Sequence, residues 1–171
     1  MKNSIYIIIL MTSILIGHNR LSERYHTYEE IRDSLFSWEQ QFGNNAEPSQ
    51  LYPGSGVIYH LEEIGVSTNE ELPFWGVRLS FNADQKQDKP RILFLGQCHA
   101  EEILGVEITM EIISMFLNPE DHQQWAYNMA ALLYLSEIWI VPTHNPEGLR
   151  VVHGYEEDGH WIQDESFRKN K

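Results

Sequence analysis

Apolar positions along the chain form stripes at helical spacing, short runs of strand length and one continuous run at the amino end. Ile31, Leu35, Trp38 and Phe42 recur every three or four residues, which predicts a helix with one buried face. Thr27-x-x-Glu30 ahead of them matches a capping box, in which each side chain satisfies a backbone donor at the helix start. Gly43 and the polar residues after it end the pattern. Residues 56–61 mix β-branched and aromatic side chains and predict a short strand. Residues 74–81 alternate, with Phe74, Gly76, Arg78 and Ser80 on one side and Trp75, Val77, Leu79 and Phe81 on the other, which predicts a second strand. Residues 91–95 carry an uninterrupted apolar run, the mark of a strand covered on both faces, and the chain is expected to break at Gly96. Ile103, Val106, Met110, Ile113 and Leu117 give the stripe of a further helix. Asp121 is placed to cap the next one, with Trp125, Met129, Leu132 and Leu133 facing inward. Residues 137–141 form a fourth strand, expected to stop at Pro142. Beyond Asn145 the chain is polar and Gly-rich, and its pattern predicts no further strand.

Strands alternating with helices point to an α/β fold. Residues 91–95 and 137–141 are joined through intervening helices, as a parallel pair with a crossover requires. The expected architecture is a mixed, largely parallel sheet flanked by helices, in one domain over residues 18–171. With 42% apolar residues in 171, the chain has enough apolar side chains for a real core.

The amino end reads differently. Lys2 precedes an apolar run from Ile5 to Ile16, broken by Thr12 and Ser13. A positive start before such a run is the pattern of a secretory signal peptide, placed here at residues 1–17. The run is shorter than the roughly 20 apolar residues of a membrane span. The expected location is secreted or periplasmic, with no stable membrane partner beyond that segment. The formal net charge of −13 argues against nucleic acid as a partner, because phosphate binding needs clustered Lys and Arg.

Candidate chemistry lies where the third strand ends, since ligands of open α/β sheets bind beyond the carboxyl ends of strands. Residues 91–102, RILFLGQCHAEE, put His99 and Glu102 three positions apart. On a helical turn, such side chains are neighbours and can converge on one cation. A nitrogen and oxygen donor set suits zinc, and catalytic zinc takes three protein ligands with a position left open. From the residues alone a solvated glutamate and a hydrogen-bonded histidine remain an equal reading. Cys98 is the only cysteine, which rules out an intramolecular disulfide. Adjacent residues on a turning backbone point apart, so Cys98 reads as a small packed side chain rather than a ligand. His144, His153 and His160 are further histidines; His144, just past the fourth strand, is the best placed of them to complete a metal site. Arg168, in the closing RKNK, reads by itself as part of a solvated basic tail.

From Tyr25 onward the order of motifs resembles the zinc carboxypeptidases of the M14 type. RYHTYEEI resembles the opening of that family's first helix, and Ile64–Ser67 its Ile-Gly-x-Ser step. RILFLGQCHAEE resembles the metal strand with its His-x-x-Glu motif, EIWIVPTHNPEGL the strand before Asn-Pro-Asp-Gly, and Ser166–Asn170 the Trp-Arg-Lys-Asn element. The resemblance implies a partial carboxypeptidase-like α/β/α domain in which His99 and Glu102 ligate Zn2+. It implies that Arg168 polarises the scissile carbonyl and stabilises the oxyanion, and that residues 145–148 support the wall of the site. The implied activity is that of a metallocarboxypeptidase hydrolysing the carboxyl-terminal bonds of peptides or proteins. A related amide hydrolase, acting on cell-wall peptides or acylated amino acids, and an exported binding protein that has lost the site are the alternatives. Glu101 stands where the family usually has Arg, Glu70-Glu71 where many members have Gly-Arg, Glu147 for Asp and Phe167 for Trp. The family's third zinc ligand, its general-base glutamate and its substrate-carboxylate clamp have no matching positions in this chain, so the 171 residues alone are expected to be inactive.

Overall fold

A computed structural model describes residues 21, 24–44, 46–47, 50 and 52–170. The proposed signal segment, residues 1–17, lies outside the described residues. Helix α1 (Tyr28–Phe42) begins at the expected capping box: Thr27 accepts from the Glu30 amide, and Glu30 accepts in return from the Thr27 amide. Strands β1 (Tyr59–Val66), β2 (Pro73–Leu79) and β3 (Arg91–Gln97) follow, then α2 (Leu104–Leu117), a 3-10 turn (Pro119–His122), α3 (Ala126–Leu135) and β4 (Glu137–Thr143). Helix α4 (Pro146–His153) and a small hairpin, β5 (Tyr155–Glu157) and β6 (His160–Ile162), come last.

The larger sheet has the order β1-β2-β4-β3. It is mixed, as expected, but not largely parallel: β3 and β4 run parallel, joined by the helical crossover, while β1–β2 and β2–β4 are antiparallel because a short connection returns β2 beside β1 and sets it against β4. Val77, Leu79, Ile138 and Ile140 alternate onto one face. There they join Ile31 and Leu35 of α1, Val106 and Ile113 of α2, and Leu133 of α3 in a single buried cluster. The opposite face, with Ile64, Arg78, Leu93, Trp139 and Val141, opens into a groove of about 760 Å³.

Several boundaries differ from the sequence pattern. Strand β1 starts later than residue 56 because Gly54 and Gly56 take positive φ, +79° and +64°, in a turn before it. It runs on through Glu62 and Glu63, which an edge strand with a solvated face accepts. Strand β3 is not covered on both faces: it is the other edge, with Leu93 60% and Leu95 54% exposed. Nor does it break at Gly96. A Cβ there would lie 2.2 Å from the Pro142 carbonyl oxygen and 2.9 Å from that of Gly105, so glycine is what lets β3, β4 and α2 close together. Pro142 lies within β4 instead of ending it, because β2 pairs with β4 only at residues 138–140 and no partner there needs its missing amide. Asp121 falls inside the 3-10 turn and caps nothing, which delays α3 to Ala126. Met129 and Leu133 face the core, while Trp125 and Leu132 are 50% and 43% exposed.

Candidate metal centre

Three elements meet at the carboxyl end of β3. The first is the turn 98–103 that leaves it. The side chain of Gln97, the last residue of β3, is buried; Gln97 Nε2 donates to the Ala100 carbonyl, and Thr143 at the end of β4 donates its hydroxyl to Gln97 Oε1. The Glu102 amide donates to the His99 carbonyl at 3.0 Å, and the Gly105 amide to that of Glu102 at 3.0 Å. The turn is thus held from both flanking strands before α2 begins.

His99 and Glu102 therefore precede α2 rather than occupying its first turn. Their side chains meet all the same. His99 Nδ1 lies 2.7 Å from Glu102 Oε1, and the His99 amide donates to Glu102 Oε2 at 3.1 Å. The histidine contacts hold the Glu102 carboxyl below the usual carboxylate range, the side-chain hydrogen bond first and the backbone one next. Both side chains are nearly half exposed, at 43% and 45%, so the pair is open to a ligand from solvent. At 2.7 Å the two side chains share a hydrogen bond, and a cation held by both would have to displace its proton, as metal binding to protonated ligands requires. The donors fit two ligands of a zinc site. Among the described residues no group of three His, Cys, Asp or Glu side chains converges to complete one. His144 Nδ1 is buried without a hydrogen-bond partner among the described residues and its amide faces the Gln97 carbonyl at 3.5 Å, but it joins no such group. His153 lies on α4 and His160 on the small hairpin. Cys98 is exposed rather than packed away, and it too joins no such group.

The second element is the segment 166–170. The Ala100 amide donates to the Arg168 carbonyl at 3.4 Å, and Arg168 Nη1 lies 2.6 Å from Glu101 Oε1. Arg168 is thereby brought to the His99–Glu102 turn, and its charge also favours the ionised Glu102.

The third element is the start of α4. Asn145 is its N-cap, accepting from the Gly148 amide, with Pro146 at the first helical position. Buried Asn145 spends both amide protons on the site: Nδ2 donates to the Cys98 carbonyl at 3.2 Å and to the Lys169 carbonyl at 3.3 Å. One side chain thus ties the turn carrying His99 and Glu102 to the segment carrying Arg168. Glu147 is buried beside it and accepts from the Asn69 and Glu70 amides at 3.0 and 2.8 Å, fixing the β1–β2 connection. Burial pushes this carboxyl up, but hydrogen bonds from Ser67, Glu70 and Asn69 outweigh it and hold the carboxyl below its usual range.

Residues 51–171 match the family model of peptidase M14, zinc carboxypeptidase. The chain belongs to the zinc carboxypeptidase family. A zinc carboxypeptidase of Saccharothrix mutabilis subsp. capreolus is 33% identical over 92 residues, which are 54% of this chain and 20% of that protein. The fold is similar to carboxypeptidase A from Helicoverpa armigera, with a TM-score of 0.63 at 20% identity over 86% of this chain and 29% of that one. It is also similar to thrombin activatable fibrinolysis inhibitor, with a TM-score of 0.60 at 17% identity over 86% of this chain and 30% of that one. The chain thus spans about a fifth of the curated relative and under a third of these two solved structures.

Within this zinc carboxypeptidase segment, the turn 98–103, the segment 166–170 and the start of α4 are joined by three supports that were not legible in the sequence motifs. The links from Gln97 to Thr143, from Asn145 to the two segments and from Glu101 to Arg168 join residues 46, 47, 24 and 67 positions apart. No local periodicity reports such pairs. Glu70 pairs with Arg150, 80 positions away, and Glu71 turns the chain at φ +54°.

Proposed function

We propose that this chain supplies part of the active site of a longer zinc metallocarboxypeptidase acting on the carboxyl termini of peptides or proteins. His99 and Glu102 hold the metal, and Arg168 stabilises the oxyanion. The observation that carries this reading is the convergence of those three residues at the end of β3, on a chain of the zinc carboxypeptidase family. Zinc, when bound, supplies a Lewis acid that polarises a carbonyl and lowers the pKa of bound water. The chain's own part is to aim an imidazole nitrogen and a carboxylate at one point, and to keep a permanently charged guanidinium beside it.

The third ligand and the general base belong to segments outside these 171 residues, which agrees with the small share of its relatives that the chain spans. The same segments cover the apolar edge at β3. Residues 1–17 direct export, as the basic start and apolar run suggest.

The test is release of carboxyl-terminal residues from a synthetic peptide by the full-length protein. Chelation should abolish release, and Arg168→Gln should lower kcat/KM about 100-fold or more, in line with the loss of one oxyanion donor. The 171-residue chain alone should show no turnover. Full activity in Arg168→Gln, or activity indifferent to chelation, would reject the reading.

A further inference from the structure

Glu101 stands between the candidate ligands and faces Arg168. Its Oε1 lies 2.6 Å from Arg168 Nη1, while its Oε2 is buried and takes no hydrogen bond among the described residues. The carboxylate therefore shows one oxygen outward, and that oxygen is spent on the guanidinium. The backbone on both sides is fixed independently of the pair, through the Ala100 amide to the Arg168 carbonyl and through Asn145 to the Cys98 and Lys169 carbonyls. Loss of the Glu101 carboxylate thus frees the Arg168 head without releasing the segment that carries it.

We propose that Glu101 is a built-in competitor for Arg168. It is a positioning residue that holds the guanidinium beside the His99–Glu102 turn and yields it only to an anion able to replace its carboxylate. The proposal rests on Arg168 being the anion-stabilising group of the reaction. A neutral carbonyl oxygen competes poorly with a carboxylate 2.6 Å away, whereas a full oxyanion competes well. Any ligand that engages Arg168 thereby bears the cost of separating the two charges, so a weakly charged group leaves the pair closed and a full anion opens it. The pair also screens the arginine from small anions in solution. With Arg168 64% exposed, the effect is modest and falls with salt.

Inorganic phosphate is the probe, read by the Arg168 side-chain nitrogen resonance in the full chain. Glu101→Gln should bind phosphate at Arg168 about three to five times more tightly than the wild type at low ionic strength, with the difference shrinking as salt rises. Glu101→Asp, which keeps the charge, should stay closer to the wild type. The gain should vanish in Glu101→Gln/Arg168→Gln. Equal affinity in Glu101→Gln and wild type, no phosphate binding by either, or a gain that survives loss of Arg168 would overturn the proposal. Failure of the catalytic reading is a separate result: wild-type turnover by full-length Arg168→Gln would remove Arg168 from the reaction whatever the phosphate titration gives.

Discussion

Gly96 and Gly105 stand back to back: a Cβ built on either would fall 2.9 Å from the carbonyl oxygen of the other. One belongs to β3 and the other to the first turn of α2, and the candidate ligands lie on the turn between them. The contact sets how closely the helix returns against the strand it left, and so the shape of that turn. Gly96→Ala must displace the Pro142 carbonyl or the helix, since backbone on both sides leaves no soft neighbour to move. It should destabilise the protein by about 3 kcal/mol in denaturant unfolding, at the upper end of overpacking costs. An unchanged unfolding midpoint would show that the helix tolerates a wider approach.

Arg91 and Glu137 begin the parallel β3–β4 pair, with Arg91 Nε 2.7 Å from Glu137 Oε2. Burial pushes the Glu137 carboxyl up, but the hydrogen bond from Arg91, one from Trp139 and the nearby Arg91 charge hold it below the usual range. Arg91→Met strands this carboxylate and should cost about 2 kcal/mol, less than a fully buried pair because the arginine is half exposed. Arg91→Met/Glu137→Leu should cost less than the single change, because no charge is then left unpaired. Chemical denaturation of the two variants decides; a double variant weaker than the single would refute the unpaired-charge account.

Asn145→Ala removes one cap and two bridging hydrogen bonds at a buried position, and should cost about 2 kcal/mol. It should also loosen the site. The Ala100 amide, bonded to the Arg168 carbonyl, and the Gly148 amide should exchange with solvent faster than in the wild type. Unaltered exchange at Ala100 would mean that segment 166–170 is held by other contacts.

The His153 ring packs at the end of α4, with Glu29 and Glu30 of α1 and Glu107 of α2 around it. Burial lowers its pKa from 6.5 despite these three carboxylates. The unfolded chain therefore binds the proton more readily than the folded one. The stability this group contributes is complete above 6.5 and is lost as pH falls below that value toward the depressed folded pKa. Tm should fall between about pH 7 and about pH 5, and His153→Gln should flatten that fall. His60 carries a burial-driven shift of the same sign, so the slope should shrink rather than disappear. Identical slopes in both proteins would remove His153 from the effect.

How far the fold could be read from the chain depended on whether its causes were local. The capping box at Thr27 and Glu30 and the stripe of α2 are short-range patterns, and both stand where the sequence puts them. The apolar run of β3 marks a strand, but its covering depends on what lies across the sheet, which a run of side chains does not state. Gly96 and Pro142 look like breaks in isolation; Gly96 is required where β3, β4 and α2 come close together, and Pro142 is tolerated because the β2–β4 pairing ends before it. The β5–β6 hairpin was missed despite a usable signal. Asp158 and Gly159 both take positive φ, +51° and +75°, as the favoured two-residue hairpin turn requires of an Asp-Gly pair. In the site itself, the spacing of His99 and Glu102 was legible. Their meeting in a turn ahead of the helix, and the pairing of Arg168 with Glu101, are set by contacts between distant segments.

As the proposed metal ligands, His99 and Glu102 should govern zinc binding. The most direct measurement is the zinc content of the full-length protein after purification and dialysis, compared between wild type and His99→Ala/Glu102→Ala. About one zinc per wild-type molecule and near-total loss in the double variant are expected, because a catalytic site with one protein ligand left does not retain its metal. Full stoichiometry in a folded double variant would contradict the proposed ligands.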